Sequence, residues 1–130
     1  MKELLVPLSP GELLDKITIL RIKLARIQDA AKLANVKREL SLLEQTWKDS
    51  GAAANDVALD ERALENVNER LWDIEDRIRD KEARQTFDRE FIELARAVYI
   101  CNDERAAIKK RINLQLGSPL VEEKSYKQYR

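Results

Sequence analysis

Four polar side chains in the stretch CNDERAAIKKRIN, residues 101–113, stand where an amphipathic helix would carry apolar ones. Helical periodicity places them on one face over three turns: Asn102, Arg105, Lys109 and Asn113. Amides, an ammonium and a guanidinium all donate hydrogen bonds, and such donors inside a bundle are what an anionic small molecule requires. The stretch therefore predicts a binding site for a molecule of the phosphate or nucleotide-sugar type.

Arg105 lies in the middle of the apolar face of this helix. Its guanidinium needs a carboxylate partner, because an unpaired buried charge is strongly destabilising. Glu12 or Asp15 of the first predicted helix can supply one, and so can a second subunit or a ligand. A purely structural role is the alternative, since cations in the last turns of a helix favour its C-terminal dipole.

The residue inventory excludes a large part of enzyme chemistry. Cys101 is the only cysteine and there is no histidine, which removes intrachain disulfides, histidine-based metal sites and Cys–His or Ser–His nucleophile pairs. Four carboxylates share one face of the third predicted helix and could hold Mg²⁺, as in all-helical nucleotide pyrophosphatases: Glu69, Asp73, Asp76 and Asp80. That face points away from the apolar seam, and arginines follow Asp73 and Asp80 at a spacing of four residues. Such spacing is typical of ion pairs on a solvated helix face. We therefore expect no metal and no cofactor.

The balance of charge disfavours nucleic acid as a partner. Lys plus Arg and Asp plus Glu both number 24, so the formal net charge is zero and no global field attracts a polyanion or an anionic membrane. The final residues alternate lysines with Tyr126 and Tyr129, a pattern that can stack on nucleic acid, but Glu122 and Glu123 beside them favour a packed or solvated tail. No stretch approaches the roughly 18 apolar residues of a membrane span. We expect a cytoplasmic protein.

Glycine and proline lie in only three places and divide the chain into helices. Ser9, Pro10 and Glu12 form a helix-start signal. Later N-caps are predicted at Asp29, Asp60 and Thr86. The predicted helices span residues 10–28, 32–49, 60–83 and 87–116, between an extended arm at 1–9 and a tail at 117–130. Each helix carries a heptad-like apolar seam, so we predict one all-α domain, an antiparallel bundle of about four helices with long hairpin arms.

Two isoleucines give the first helix more apolar surface than one seam requires. Ile19 and Ile22 lie away from the seam residues Leu20 and Leu24. A helix that is apolar on two sides is central in its bundle or contacts a second copy. Trp72 lies about 100° off the seam of the third helix and is a candidate partner contact. Ile19, Ile22 and Trp72 are therefore interface candidates for a homodimer or another protein, with a central helix in a monomer as the alternative.

Several stretches resemble an uncharacterised bacterial family of small all-helical proteins. They are SPGELLDKITILRIK, KLANVKREL, FIELARAVY, NDERAAIKKRIN and VEEKSY, and they span nearly the whole chain. The resemblance implies an occurrence near genes for cell-surface polysaccharides and sugar transfer, without an assigned activity. It favours a polar signature consisting of Asp15, Lys16, Asn102, Arg105 and Lys109. A weaker likeness is to the all-helical chorismate mutases, whose sites use Arg and Lys from several helices without a histidine or a nucleophile. Their arginine spacing is not reproduced here, so they serve only as a model of how a helical chain without histidine could be an enzyme.

Two functions follow from these observations. The preferred one is an interaction or assembly module associated with cell-surface polysaccharide synthesis, acting as a homodimer. The alternative is a binder of an anionic small molecule, or an electrostatic enzyme acting on one, centred on Arg105. No catalytic residue is predicted, and a role without catalysis is favoured.

Overall fold

The computed structural model describes residues 1–130 and contains four long helices joined by short connections. They are α1 (Pro10–Arg26), α2 (Ala30–Asp49), α3 (Ala58–Ala83) and α4 (Arg89–Gln115), with a short 3-10 helix at Ala52–Ala54. The chain forms no strand, so the predicted all-α bundle is confirmed. Helices α1 and α2 form one hairpin, α3 and α4 form the other, and α1 packs against both α3 and α4.

Two helices begin at the predicted capping residues. The Ser9 hydroxyl accepts a hydrogen bond from the Glu12 N–H at 3.2 Å, and the Asp29 carboxylate accepts one from the Lys32 N–H at 2.9 Å. These side chains satisfy N–H groups that have no partner within the first turn of a helix. Helix α2 begins at Ala30, two residues before the predicted start, because the residues directly after its cap are already helical.

The other two predicted caps are wrong. Helix α3 begins at Ala58 after the buried Val57, so Asp60 lies inside the first turn, where its carboxylate pairs with Arg111 at 2.9 Å. Packing of Val57 into the core, rather than a polar cap, sets this start. Helix α4 begins at Arg89 and is capped by Asp88 instead of Thr86.

The connection between α3 and α4 is held by a buried lysine. The ammonium of Lys81 lies 2.9 Å from the Asp88 carboxylate and 3.2 Å from that of Glu90. Asp88 also accepts a hydrogen bond from the Phe91 N–H at 3.0 Å. The same carboxylate thus caps α4 and neutralises a side chain of α3, which accounts for its preference over Thr86.

Helix α1 is the central helix of the bundle and has apolar residues on two faces. One face packs against α2 through a cluster of Leu13, Ile17, Leu20, Val36 and Leu40. The opposite face packs against α3 and α4 through a cluster of Leu14, Val57, Leu64, Val67, Cys101, Ile108 and Ile112. Ile22 is also buried, so the prediction that it contacts a second subunit is wrong: the chain's own helices cover it.

Residues 1–8 form an N-terminal arm without helix or strand. Its apolar side chains Leu4, Leu5 and Val6 are exposed, Leu5 to 92%. The predicted extended arm thus does not bury these side chains against the bundle. None of the four helices is both long enough and apolar enough to cross a membrane.

Candidate functional site

The centre of the site is an ion pair between α1 and α4. Asp15 Oδ1 accepts a hydrogen bond from Arg105 Nε at 2.9 Å, and Asp15 Oδ2 accepts one from Arg105 Nη2. The Asp15 side chain is 1% exposed and the Arg105 side chain is 28% exposed. Two parallel hydrogen bonds fix the guanidinium plane as well as its charge. Of the carboxylates that could pair with Arg105, Asp15 is the one that does so.

Two residues of α1 and α3 complete the surroundings of Asp15. Asn68 Nδ2 donates hydrogen bonds to Asp15 Oδ1 at 2.9 Å and to Thr18 Oγ1 at 3.1 Å, and the Thr18 hydroxyl donates to the Asp15 carbonyl at 2.9 Å. No buried side-chain nitrogen or oxygen lacks a partner. The carboxylate of Asp15 on α1 is therefore held by donors from α3 and α4, and it orients Arg105 rigidly.

Lys109, one turn after Arg105, binds three carboxylates. Its Nζ lies 2.8 Å from Glu12 Oε2, 3.2 Å from Glu122 Oε2 and 3.9 Å from Asp15 Oδ2. Glu122 belongs to the C-terminal tail, residues 117–130, and also pairs with Lys124 at 3.0 Å. Lys109 thus connects the buried ion pair to the tail.

These contacts stabilise the charged forms of the cations and of Glu122. The hydrogen bond to Asp15 raises the pKa of Arg105 against the effect of burial. Burial lowers the pKa of Lys109, but the hydrogen bond to Glu12 and the charge of Asp15 outweigh it, and the net shift is upward. Hydrogen bonds from Lys124 and then Lys109 lower the pKa of Glu122. The charged forms of Arg105, Lys109 and Glu122 are therefore favoured by their surroundings.

Asn113 has a structural task at the far end of this face. It is buried, and its Oδ1 accepts a hydrogen bond from the Gly11 N–H at 2.7 Å. That N–H is one of the groups left without a partner at the start of α1. The side-chain oxygen is used inside the bundle, and Asn113 does not line the cleft between α4 and the C-terminal tail.

A cleft with a volume of about 500 Å³ lies between α4 and the C-terminal tail. We call it the tail cleft. Four cations line it: Arg105, Lys109, Lys124 and Lys127. Three tyrosines line it as well: Tyr99, Tyr126 and Tyr129. Asp103 is its one carboxylate, and it accepts a hydrogen bond from the Tyr129 hydroxyl at 2.6 Å. The tail is held over α4 by this bond and by the edge-to-face packing of Tyr99 on Tyr129, with ring centroids 5.0 Å apart.

A second, open groove lies on the other side of Arg105, between α3 and α4. It brings together residues that the sequence assigned to two different roles: Ile19 and Trp72 as interface candidates, and Asn102 and Arg105 as ligand candidates. Asn102 and Arg105 also line the tail cleft. Asn102 is exposed, so the expectation that it faces the bundle interior is wrong. It lies on the outer edge of the polar face, between the two depressions.

Lys16 and the acidic face of α3 are not part of this arrangement. Lys16 is exposed, because its side chain lies about 100° around α1 from that of the buried Asp15. On α3, Asp73 pairs with Arg26 and Asp80 with Arg84. No group of three or more His, Cys, Asp or Glu side chains is placed to hold a metal ion.

Sequence reasoning missed Asn68, Thr18 and the lining supplied by the tail. Asn68 is four residues after Leu64, which belongs to the apolar seam. The helical spacing therefore indicates a polar amide on the apolar face of the third helix. Thr18 stands four residues after Leu14 on the second face of α1. The tail offered no such signal, since its place depends on contacts with Asp103 and Lys109 that are remote in sequence.

Fold and site together define a small helical bundle with a buried ionic network at its centre and a cationic, tyrosine-lined cleft beside it. The chain belongs to the family described as Family of unknown function (DUF6165), whose profile matches residues 4–129. The resemblance to an uncharacterised family is thereby confirmed. No curated protein and no solved structure matches the chain.

Proposed function

We propose that this protein binds a small anionic molecule of the phosphate or nucleotide-sugar type in the tail cleft. The observation that carries the proposal is the state of Arg105. Asp15 engages Nε and Nη2, whereas Nη1 donates no hydrogen bond within the protein. Arg105 lines the tail cleft, and a guanidinium that is oriented by a buried carboxylate and keeps unused donors is suited to bind an oxyanion.

The rest of the lining supports the same ligand class. Lys127 takes part in no ion pair, and Asp103 is the one negative charge among the lining residues. Tyr126 is 75% exposed, and its ring offers a face for a base or sugar ring. A volume of about 500 Å³ lies within the roughly 300–1,000 Å³ that is usual for small-molecule sites. The ligand that these groups suit is an anion attached to a ring.

A pair of lysine variants tests this function. We expect Lys127→Ala to weaken binding of pyrophosphate or UDP about fivefold, the loss of one exposed charge contact of about 1 kcal/mol. Lys110→Ala is the matched control, because Lys110 is an exposed lysine of α4 outside the tail cleft. Isothermal titration calorimetry measures both affinities, and thermal denaturation with ligand in excess reports binding independently. Equal effects of the two variants, or no binding by the unaltered protein, would contradict the proposal.

A second function, an interaction or assembly module associated with cell-surface polysaccharide synthesis, is supported by the N-terminal arm. Leu4, Leu5 and Val6 are exposed side by side, and contiguous apolar surface of this kind marks protein contacts. Ile19 and Trp72, which line the open groove, are the surface that a second copy would cover. In this function the chain forms a homodimer, or a complex with another protein, in addition to binding a ligand.

The oligomeric state tests the second function. We expect the chain to sediment as a dimer at micromolar concentration. Leu5→Asp should raise the dissociation constant of this dimer at least tenfold, since a buried charge costs more than about 1.4 kcal/mol. Leu42→Asp serves as the control, because Leu42 is an exposed leucine of α2 and not part of the arm. A protein that is monomeric at every concentration would remove the homodimer.

A further inference from the structure

A carboxylate of the C-terminal tail lies between two of the cations that line the tail cleft. Glu122 Oε2 lies 3.2 Å from Lys109 Nζ, and Glu122 Oε1 lies 3.0 Å from Lys124 Nζ. One oxygen faces each lysine, as two oxygens of a phosphate would. Glu122 reaches this position from a smaller pocket of about 170 Å³ that adjoins the tail cleft along Lys109 and Lys124.

We propose that Glu122 is an internal stand-in for the anionic group of the ligand: it occupies the position between Lys109 and Lys124 in the free protein and is displaced when the ligand binds. This inference rests on the proposed binding function and assigns its regulation. It makes the C-terminal tail a competitor for its own cleft. Binding then exchanges one set of ion pairs for another and frees the Glu122 segment of the tail.

Burial shows which contact of Lys109 is exchangeable. The Lys109 side chain is 12% exposed and cannot be left without a counter-charge. Glu12, at 2.8 Å, provides one from α1 whether or not Glu122 is present. The Glu122 side chain is 47% exposed, so its release restores hydration to a group that has lost little of it. The exchange therefore removes the outer partner of Lys109 and keeps the inner one.

A phosphate can replace Glu122 with additional contacts. It carries more charge than a carboxylate and has further oxygens. Arg105 and Lys127 line the same cleft as Lys109 and Lys124, and neither forms an ion pair with Glu122, whose partners are Lys109 and Lys124. The ligand thus gains two cations that the internal carboxylate leaves unused, and this difference drives the displacement.

Two isosteric variants of adjacent residues separate competition from net charge. Glu122→Gln and Glu123→Gln both remove one negative charge, but Glu123 takes part in no ion pair and lines only the smaller pocket. We expect Glu122→Gln to bind pyrophosphate about three- to tenfold more tightly than the unaltered protein, because a larger fraction of the molecules has a free position. Glu123→Gln should change the affinity by less than about twofold, because an exposed charge that pairs with neither lysine is partly screened by salt.

The outcomes distinguish this inference from the function on which it rests. Tighter binding by Glu122→Gln alone supports the stand-in. Unaltered or weaker binding by Glu122→Gln, while the unaltered protein binds pyrophosphate, overturns the stand-in and leaves the binding function intact. An equal gain in both variants also overturns it, since general electrostatics then suffices. If no variant binds pyrophosphate or UDP, the proposed function fails and the stand-in fails with it.

Discussion

Replacing Gly11 with alanine is expected to lower the free energy of unfolding by about 3 kcal/mol, and the melting temperature by about 10 °C. A Cβ at Gly11 would lie 2.5 Å from the Lys109 carbonyl oxygen and 2.9 Å from Asn113 Oδ1. The first of these atoms belongs to the backbone of α4, so the contact can be relieved only by moving a helix. The start of α1 and the last turns of α4 approach this closely because residue 11 has no side chain.

Relief of this clash would also disturb the site. Any movement of α1 away from α4 lengthens the hydrogen bond from the Gly11 N–H to Asn113, which is 2.7 Å long. It also separates Asp15 and Arg105, which are one turn further along the two helices. We therefore expect Gly11→Ala to weaken anion binding as well as stability.

A second glycine provides the matched control. Gly117 has a φ of +64° and nothing within 4 Å of a built Cβ, so Gly117→Ala incurs backbone strain of about 1 kcal/mol without a clash. Urea denaturation of both variants measures the difference. Because alanine favours a helix over glycine by about 1 kcal/mol, a Gly11→Ala protein that is more stable than the original would contradict the close approach of α1 and α4.

The helices could be predicted from the sequence, but their exact starts could not in two cases. Apolar residues at steps of three and four act locally, and so do the caps Ser9 and Asp29. The start of α3 depends on the burial of Val57, and the start of α4 depends on Lys81, seven residues before its partner Asp88. Both are tertiary effects, which local propensity does not contain.

The site could be predicted in its centre and not in its periphery. A single arginine on an apolar face requires a counter-charge. This requirement limits the candidate partners of Arg105 to a few carboxylates, and Asp15 is among them. The tail cleft depends on where residues 117–130 lie, which is decided by contacts such as Tyr129 with Asp103, 26 positions apart. Asn102 was misplaced because the polar face is wider than the apolar seam, and its edge reaches solvent.

Replacing Asp15 with asparagine is expected to lower the free energy of unfolding by about 3 kcal/mol, because it removes the charged partner of a pair that is largely buried. Asparagine has the same shape, so the effect isolates the charge. Arg105 would lose its counter-ion, and Lys109 would lose a carboxylate at 3.9 Å. The control is Asp76→Asn, which removes an exposed carboxylate of α3 that forms no ion pair and should change stability by less than about 0.5 kcal/mol.

A double-mutant cycle with Arg105→Leu shows whether the pair serves stability or function. Arg105→Leu alone leaves the buried Asp15 carboxylate with Asn68 as its main donor and should be destabilising. The variant that combines Arg105→Leu with Asp15→Leu should regain most of the stability, since apolar residues replace a buried pair at little cost. A structural pair would leave pyrophosphate binding intact in this double variant. If the ion pair exists to present Arg105 to the tail cleft, calorimetry will instead show a folded, stable protein whose affinity for pyrophosphate has fallen at least about tenfold, the loss of a charge-assisted bidentate donor. A double variant that is stable and binds as tightly as the original would confine Asp15 and Arg105 to holding α1 against α4.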